Sequence, residues 1–311
     1  MEVTKGEIPR RSLGRTGVEV SALALGGYHL GLVKSKREAI RIVQEAVAAG
    51  VTFFDNAWEY HDGVSEEIMG QALLGHRHNV ILMTKVCTHG RDRKVAMRQL
   101  HDSLKRLKTD YLDLWQIHEV IHDNDPELHF ARDGVVEALE QAKREGKVRF
   151  VGFTGHKDPA IHLKMLSYDY PFDACQMPLN MFDGTFRSFE QQVLPEVNRR
   201  NIAALGMKSM TGEGGPVKKR LVRPAEALSY AMSLPVAATI SGIDSLKVLQ
   251  QNLRVARDFK PLSASEMQEL RTRCAEAAAD GRFELYKTSK SFDGPPGRKQ
   301  HGFPPPDELA A

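Results

Sequence analysis

Cysteine is scarce in this chain, which excludes a scaffold held together by disulfides or structural zinc. Cys87, Cys175 and Cys274 are far apart, odd in number and outside any C-x-x-C pattern. Isolated thiols in a reducing compartment are therefore expected, and with them a cytoplasmic location. Long apolar runs are missing too: none approaches 18 residues, so no membrane-spanning helix is expected. Arg10 and Arg11 stand side by side near the start, but the SLGRTGVEV that follows lacks the apolar core of an export signal. Charge of one sign is not in excess, since 43 Lys and Arg against 40 Asp and Glu leave +3. Nucleic acid and anionic membranes are therefore not expected partners, while a small anionic ligand is allowed. The sequence also lacks a GxGxxG after its first strand-like run, a heptad seam and a repeat beyond its strand-helix alternation. His61, His118 and His122 show no HxH or HExxH spacing, and no metal is expected. Nothing fixes the oligomeric state.

What is present is a chain of 311 residues, 41% hydrophobic and 27% charged. That is enough to bury the core of two ordinary domains or of one large α/β barrel. Short aliphatic or β-branched runs alternate with amphipathic stretches from end to end. Strands are predicted at 21–25, 52–55, 80–85, 112–118, 148–154, 173–177, 202–208 and 237–241. Helices are predicted at 35–49, 65–74, 93–107, 133–145, 158–167, 188–200, 224–233 and 245–257. Ser65 with Glu66 and Glu67, Gly50, and Gly146 supply cap signals. Eight strands, each followed by a helix, predict a single-domain (β/α)8 TIM barrel with its core at about 20–260, and the missing GxGxxG disfavours a doubly wound sheet. Ahead of the barrel, Gly14 and Gly17 punctuate a β-hairpin suited to plugging its floor. Behind it, Ser263-x-x-Glu266 is a capping box that should start one more helix in the 261–311 segment. From 291 onward five of the fifteen prolines crowd into 21 residues, which argues for an ordered but irregular tail lying on the barrel, with Phe292 and Phe303 as its apolar contacts.

Barrel chemistry is built where strands end. The second predicted strand ends in Asp55 with Tyr60 in the loop beyond it, the third ends in Lys85 and the fourth in His118. Singly, each has an ordinary structural role available: a turn cap, a packed ring, a solvated amine, a structural imidazole. At successive strand ends they predict one pocket. A free phenol, with a pKa of about 10, is a poor proton shuttle near neutrality; an adjacent ammonium favours its phenolate, and a carboxylate can hold that ammonium in place. Such a set can exchange a proton with a carbonyl or alcohol oxygen.

Over about residues 11–260 the sequence resembles the aldo-keto reductase family. The resemblance is carried by LGRTGVEVSALALGG, GVTFFDNAWEYHDGVSEEIMGQAL, ILMTK, SLKRLKTDYLDLWQIH, GKVRFVGFTG and ISGIDSLKVLQQN. It implies a nicotinamide cofactor bound in extended form without a Rossmann domain, and catalytic roles for Asp55, Tyr60, Lys85 and His118. In that scheme hydride passes between the cofactor and an aldehyde or ketone, or an alcohol in reverse. Tyr60 is the general acid/base, Lys85 lowers its pKa with Asp55 as ion partner, and His118 orients the substrate oxygen. The resemblance further implies cofactor contacts at Gly27, Tyr28, Asp55, Thr154, Gly155, Gln176, Met207, Lys208, Ser241, Gly242, Ile243, Asp244, Lys247 and Asn252. Some of these depart from the family pattern. Thr154-Gly155, with His156 next, stands where a Ser-Asn pair usually holds the carboxamide, and Met207 where many members stack an aromatic ring. Asp244 stands where many carry a base for the 2′-phosphate. Lys208 and Lys247 oppose that carboxylate, so NADP(H) is favoured and NAD(H) allowed. The loop TGEGGPVKKR can fold over a pyrophosphate or serve as a connector. Two other readings stay open: a Schiff-base aldolase using Lys85 or Lys208, and a cofactor-sensing module with little turnover. The acidic IHDNDPELHFARDG stretch, with His61 and Asp62, points to a polar substrate such as a polyol or sugar-like compound.

Overall fold

The computed structural model describes residues 6–87, 92–300, 302 and 304–308. Two short strands, β1 (Arg10–Ser12) and β2 (Glu19–Ser21), pair antiparallel. Eight parallel strands follow: β3 (Leu23–Gly26), β4 (Phe53–Asp55), β5 (Ile81–Val86), β6 (Leu112–Ile117), β7 (Val148–Thr154), β8 (Ala174–Pro178), β9 (Ala203–Met207) and β10 (Ala238–Gly242). They close into a barrel in chain order, β10 pairing with both β9 and β3. This is the (β/α)8 architecture expected from the sequence.

The strands read as nearly unbroken apolar runs because both faces are buried. Phe53, Ile81, Met83, Leu114, Ala174 and Leu205 belong to the cluster inside the barrel, while Phe54, Leu82, Trp115, Cys175 and Ala204 pack under the helices. Leu13 and Val20 from the hairpin join the inner cluster. Gly14 lies so close to the start of β9 that a Cβ there would stand 2.6 Å from the Ala203 nitrogen, so the hairpin does plug the floor. Side chains alternate with a period of two along a strand. Stepping up from Phe53, Met83, Leu114 and Ala174 therefore puts Asp55, Lys85, Gln116 and Gln176 on the same inner face, at the opposite end.

Several local readings shift. The helix expected at 65–74 runs Val64–Ala72 behind Gly63, whose φ of 90° is the cap; Ser65 Oγ instead donates to the Gly27 carbonyl at 2.6 Å. The stretch at 188–200 divides into Phe189–Gln192 and Leu194–Arg199, since Pro195 brings no N–H to the second piece. Within 119–132 a short helix, Asp125–Phe130, forms, and Asp125 Oδ2 accepts from the Ile121 and His122 amides at 2.7 and 2.8 Å. That carboxylate is used inside its own loop. The capping box at Ser263 forms as expected and opens Ala264–Ala278.

Helix Leu285–Thr288 precedes the proline-rich tail, and within the tail a short helix, Pro295–Gln300, forms where irregular chain was expected. Pro295 and Pro296 fall in the first turn of the latter, where a missing N–H costs nothing. Phe303 lies outside the described residues, as do 88–91 of the loop after β5. Among the described residues no helix is long and apolar enough to cross a membrane.

Candidate active site

At the C-terminal ends of β4 and β5 the backbone keeps the two strands together past Asp55: the Asn56 amide donates to the Met83 carbonyl at 2.9 Å and the Trp58 amide to the Lys85 carbonyl at 3.1 Å. A tight turn, Tyr60–Gly63, follows, with His61 and Asp62 both in the left-handed region (φ 51° and 55°). His61 Nε2 sits 2.8 Å from the Tyr28 carbonyl, and Gly31 must be glycine because a Cβ there would lie 2.1 Å from the His61 ring. This interlock aims Tyr60 back over the barrel mouth. Lys85 is buried and its ammonium donates to Asp55 Oδ1, to the Asn56 carbonyl at 2.7 Å and to Tyr60 Oη at 3.4 Å. His118, one residue beyond β6, meets the Tyr60 ring edge-on at 5.6 Å between centroids. Asp55, Tyr60, Lys85 and His118 thus form one cluster.

The electrostatics differ from the expectation in one respect. Burial, and then the Asp55 charge, push the Tyr60 phenol well above its ordinary value. Lys85 directs its shortest contacts to Asp55 and Asn56, so its charge is already compensated, and the resting phenol is held protonated. Burial pushes His118 down to about 4, and the imidazole is neutral.

Sequence reasoning missed the cluster's neighbours. Glu59 Oε1 lies 2.6 Å from His118 Nδ1, Glu119 Oε1 lies 3.8 Å from His118 Nε2, and the Cys87 thiol donates to Glu59 Oε2 at 3.1 Å. Ligand atoms of Glu59, His118 and Glu119 fall within 4.8 Å of one another, close enough for a cation, a grouping that sequence spacing did not disclose. The signal available was adjacency, because each glutamate is the immediate neighbour of a candidate catalytic residue. The tail closes over this group: Lys157 Nζ bonds Asp293 Oδ1 at 2.8 Å and the Ser289 carbonyl at 2.8 Å. A Cβ on Gly297 would stand 2.0 Å from Glu59 Oε2.

A model of the aldo/keto reductase family matches residues 22–225. The chain belongs to that family. It is 27% identical over 325 residues to an uncharacterized oxidoreductase, YqkF, of Bacillus subtilis, covering 91% of this chain and 99% of that protein. Among solved structures, an aldo-keto reductase from Bacillus halodurans in its holo form superposes with a TM-score of 0.73 at 24% identity, over 89% of this chain and all of the other. An aldo/keto reductase from Klebsiella pneumoniae in complex with NADP and acetate gives 0.69 at 22% identity, over 86% and 96%.

The residues expected from the resemblance to contact a cofactor fall into separate groups. Gly27 donates its amide to the Asp55 carbonyl at 2.7 Å and has no room for a Cβ, while Tyr28 is exposed beside it and packs on Tyr60. Thr154 is paired in register with Gln176, whose Nε2 donates to Asp55 Oδ2 at 3.3 Å. Gln176 Oε1 is buried without a partner. A Cβ on Gly155 would meet the Val120 carbonyl at 2.4 Å, so packing explains that glycine. Ser241 and Gly242 end β10, Ile243 is buried, and Asp244 and Lys247 are exposed on either side of the Ser245 cap of helix Leu246–Arg257. Asn252 donates to Ser241 Oγ at 2.9 Å and keeps a buried Oδ1 with no partner. Met207 is half-buried at the end of β9. Lys208, at φ 55°, sends its ammonium over the rings of Tyr286 and Phe292, 5.3 and 5.6 Å from their centroids.

Proposed function

We propose that this chain is a nicotinamide-dependent carbonyl reductase, also able to run from alcohol to carbonyl, with Tyr60 as proton donor. One observation carries the reading: a buried Lys85 ammonium is shared by Asp55, the Asn56 carbonyl and Tyr60 Oη at the barrel end where this fold does its chemistry. The cofactor, when bound, supplies the hydride. Tyr60, held protonated by burial, gives its proton to the carbonyl oxygen as the alcohol forms, and the Lys85 ammonium 3.4 Å away stabilises the phenolate left behind. The residues present suit a nicotinamide dinucleotide. Gln176 Oε1 and Asn252 Oδ1 are buried acceptors without donors, and a carboxamide and an adenine amino group offer the N–H groups they lack. The family membership and the NADP held by the Klebsiella relative point the same way.

The aldolase reading loses support at Lys85, whose Nζ is engaged by Asp55 and the Asn56 carbonyl. A sensing module would bind cofactor with negligible turnover. Absorbance assays of a panel of aldehydes, ketones and sugar alcohols with each nicotinamide cofactor separate the two: reduction of some carbonyl supports the enzyme, and tight binding with no turnover across the panel rejects it.

The choice of cofactor turns on Asp244. Lys208 places its ammonium over the tail rings, and Lys247 lies three residues from Asp244 along the chain. A 2′-phosphate within ~4 Å of a carboxylate is opposed by a few kcal/mol at an effective dielectric of about 20. Asp244→Arg should therefore raise the ratio of kcat/KM for NADPH over NADH by at least about tenfold, with NADP(H) the first cofactor to test in the parent. An unchanged ratio would show that Asp244 does not face the adenosine ribose.

A further inference from the structure

We propose that Lys208 is an anion-binding residue of the substrate pocket, and that the carbonyl compounds this site takes carry a carboxylate. The second statement rests on the carbonyl-reductase reading; the first does not.

Three lysines that turn inward at this end of the barrel are given acceptors. Lys85 donates to Asp55, the Asn56 carbonyl and Tyr60, Lys157 to Asp293 and the Ser289 carbonyl, and Lys287 to Asp183, the Phe186 carbonyl and Glu284. Lys208 differs from them. Among the described residues its ammonium has no carboxylate within ion-pair distance and no hydrogen-bond acceptor; it meets the rings of Tyr286 and Phe292 instead, 5.3 and 5.6 Å from their centroids. A lysine without acceptors ordinarily runs out to water. Here a φ of 55° turns the residue inward, Asn180 Nδ2 holds its carbonyl at 3.2 Å, and burial is the largest influence on the ammonium, lowering its pKa. The rings offset part of that desolvation, and the N–H donors are left for an anion.

The surroundings are fixed and lack one more polar partner. Tyr286 is fully buried with its hydroxyl donating to Glu284 at 2.5 Å, and it meets Phe292 edge-on at 6.3 Å. His156 stands edge-on to both rings, at 5.8 and 6.5 Å, and its buried Nε2 has no partner. A polar group therefore suits this place better than an alkyl chain. Glu119, Lys85 and Asp55 are the charges that act on Lys208, and Lys208 in turn acts on His118, so its ammonium stands beside the catalytic cluster. A molecule with its carbonyl on Tyr60 can carry an anion to it. One ammonium matches a monoanion; a phosphate brings close to two charges, and Glu119 and Asp55 oppose the surplus. A carboxylate meets both conditions.

Binding is tested first with benzoate and butyrate, which carry the anion and no reducible carbonyl, through the line broadening of their proton signals on the full chain. At least one should bind the parent, and Lys208→Met should weaken it by about tenfold or more, the worth of one charged hydrogen bond. Lys208→Arg keeps the charge and should keep most of the affinity, which guards against a mere loss of fold. No binding to the parent, or equal binding to parent and Lys208→Met, overturns the proposal. If Lys208→Met weakens NADPH binding and leaves these carboxylates unaffected, the lysine serves the cofactor and the proposal fails. Turnover is then compared for 4-formylbenzoate and 4-oxobutanoate, each against its methyl ester. The parent should favour the acid of at least one pair by roughly tenfold in kcat/KM, mainly through KM, and Lys208→Met should bring that ratio toward one. Equal losses on acid and ester sink the substrate statement. If the parent reduces no carbonyl at all, the reductase reading fails, and the benzoate and butyrate titrations still decide the role of Lys208.

Discussion

Replacing Tyr60 by phenylalanine should lower turnover by about two to four orders of magnitude while leaving cofactor affinity nearly intact. The ring stays, and with it the edge contacts to Tyr28 and His118; only the hydroxyl 3.4 Å from Lys85 is removed. Loss of packing therefore cannot account for the result. Lys85→Met should be comparably damaging for a different reason. It strips the cation from a carboxylate that is itself buried, leaving Asp55 with Gln176 alone at 3.3 Å, so some stability should be lost with the activity. The two variants separate the roles: Tyr60→Phe should melt within a degree or two of the parent, and Lys85→Met should not. Steady-state turnover, cofactor titration by fluorescence and thermal melting together check this. Activity within tenfold of the parent in Tyr60→Phe would remove the phenol from the role of proton donor.

The four candidate catalytic residues were legible because the rule that reveals them is local. Strand ends can be read from where apolar runs stop, and a period of two fixes which residue of each end faces inward, as from Phe53 to Asp55 or from Met83 to Lys85. Other features depend on contacts that no window of sequence contains. Glu59 and Glu119 look like solvated acids until β4 and β6 bring them to opposite sides of one imidazole. Ser65 has every mark of a helix cap, yet the Gly27 carbonyl, 38 residues away in sequence, takes its hydroxyl. Lys208 stands one residue past β9, where the next element invites it to meet a phosphate; a left-handed backbone and the aromatic rings of the tail turn it toward the catalytic cluster. The tail is ordered and lies on the barrel as expected, and only the short helix Pro295–Gln300 goes beyond what its prolines suggested, because composition reports what a segment cannot propagate and says nothing of what it packs against.

What fastens that tail is a buried ion cluster, and breaking it should have the largest effect on stability. Lys287 is almost wholly buried, and its ammonium donates to Asp183 Oδ1 at 2.6 Å, the Phe186 carbonyl at 2.7 Å and Glu284 Oε2 at 2.9 Å. Around it Tyr286 donates to Glu284 at 2.5 Å, and Asn180 joins Glu284 at 3.3 Å and Tyr286 at 3.1 Å to the Lys208 carbonyl at 3.2 Å. The cluster thus ties the strap carrying Tyr286 and Phe292 to the residue whose ammonium those rings cover. Lys287→Met keeps most of the volume but leaves two buried carboxylates facing each other without a cation, a loss of about 3–5 kcal/mol. At this chain length that corresponds to a fall in Tm of roughly 5–10 °C. Burial already pushes the Asp183 carboxyl above its ordinary range. A carboxyl raised in the folded state contributes stability that is fully present below its unfolded value and is lost as pH rises through the folded one. Without Lys287 the protonated form is favoured further, so the Tm gap between variant and parent should widen from pH 5 to pH 8. Hydrogen exchange over 284–292 shows whether the strap alone loosens or the whole barrel weakens. If the strap alone gives way, protection there should fall while the barrel strands keep theirs, and KM should rise more than kcat falls. An unchanged Tm together with unchanged protection of 284–292 would show that Lys287 does not hold the tail to the barrel.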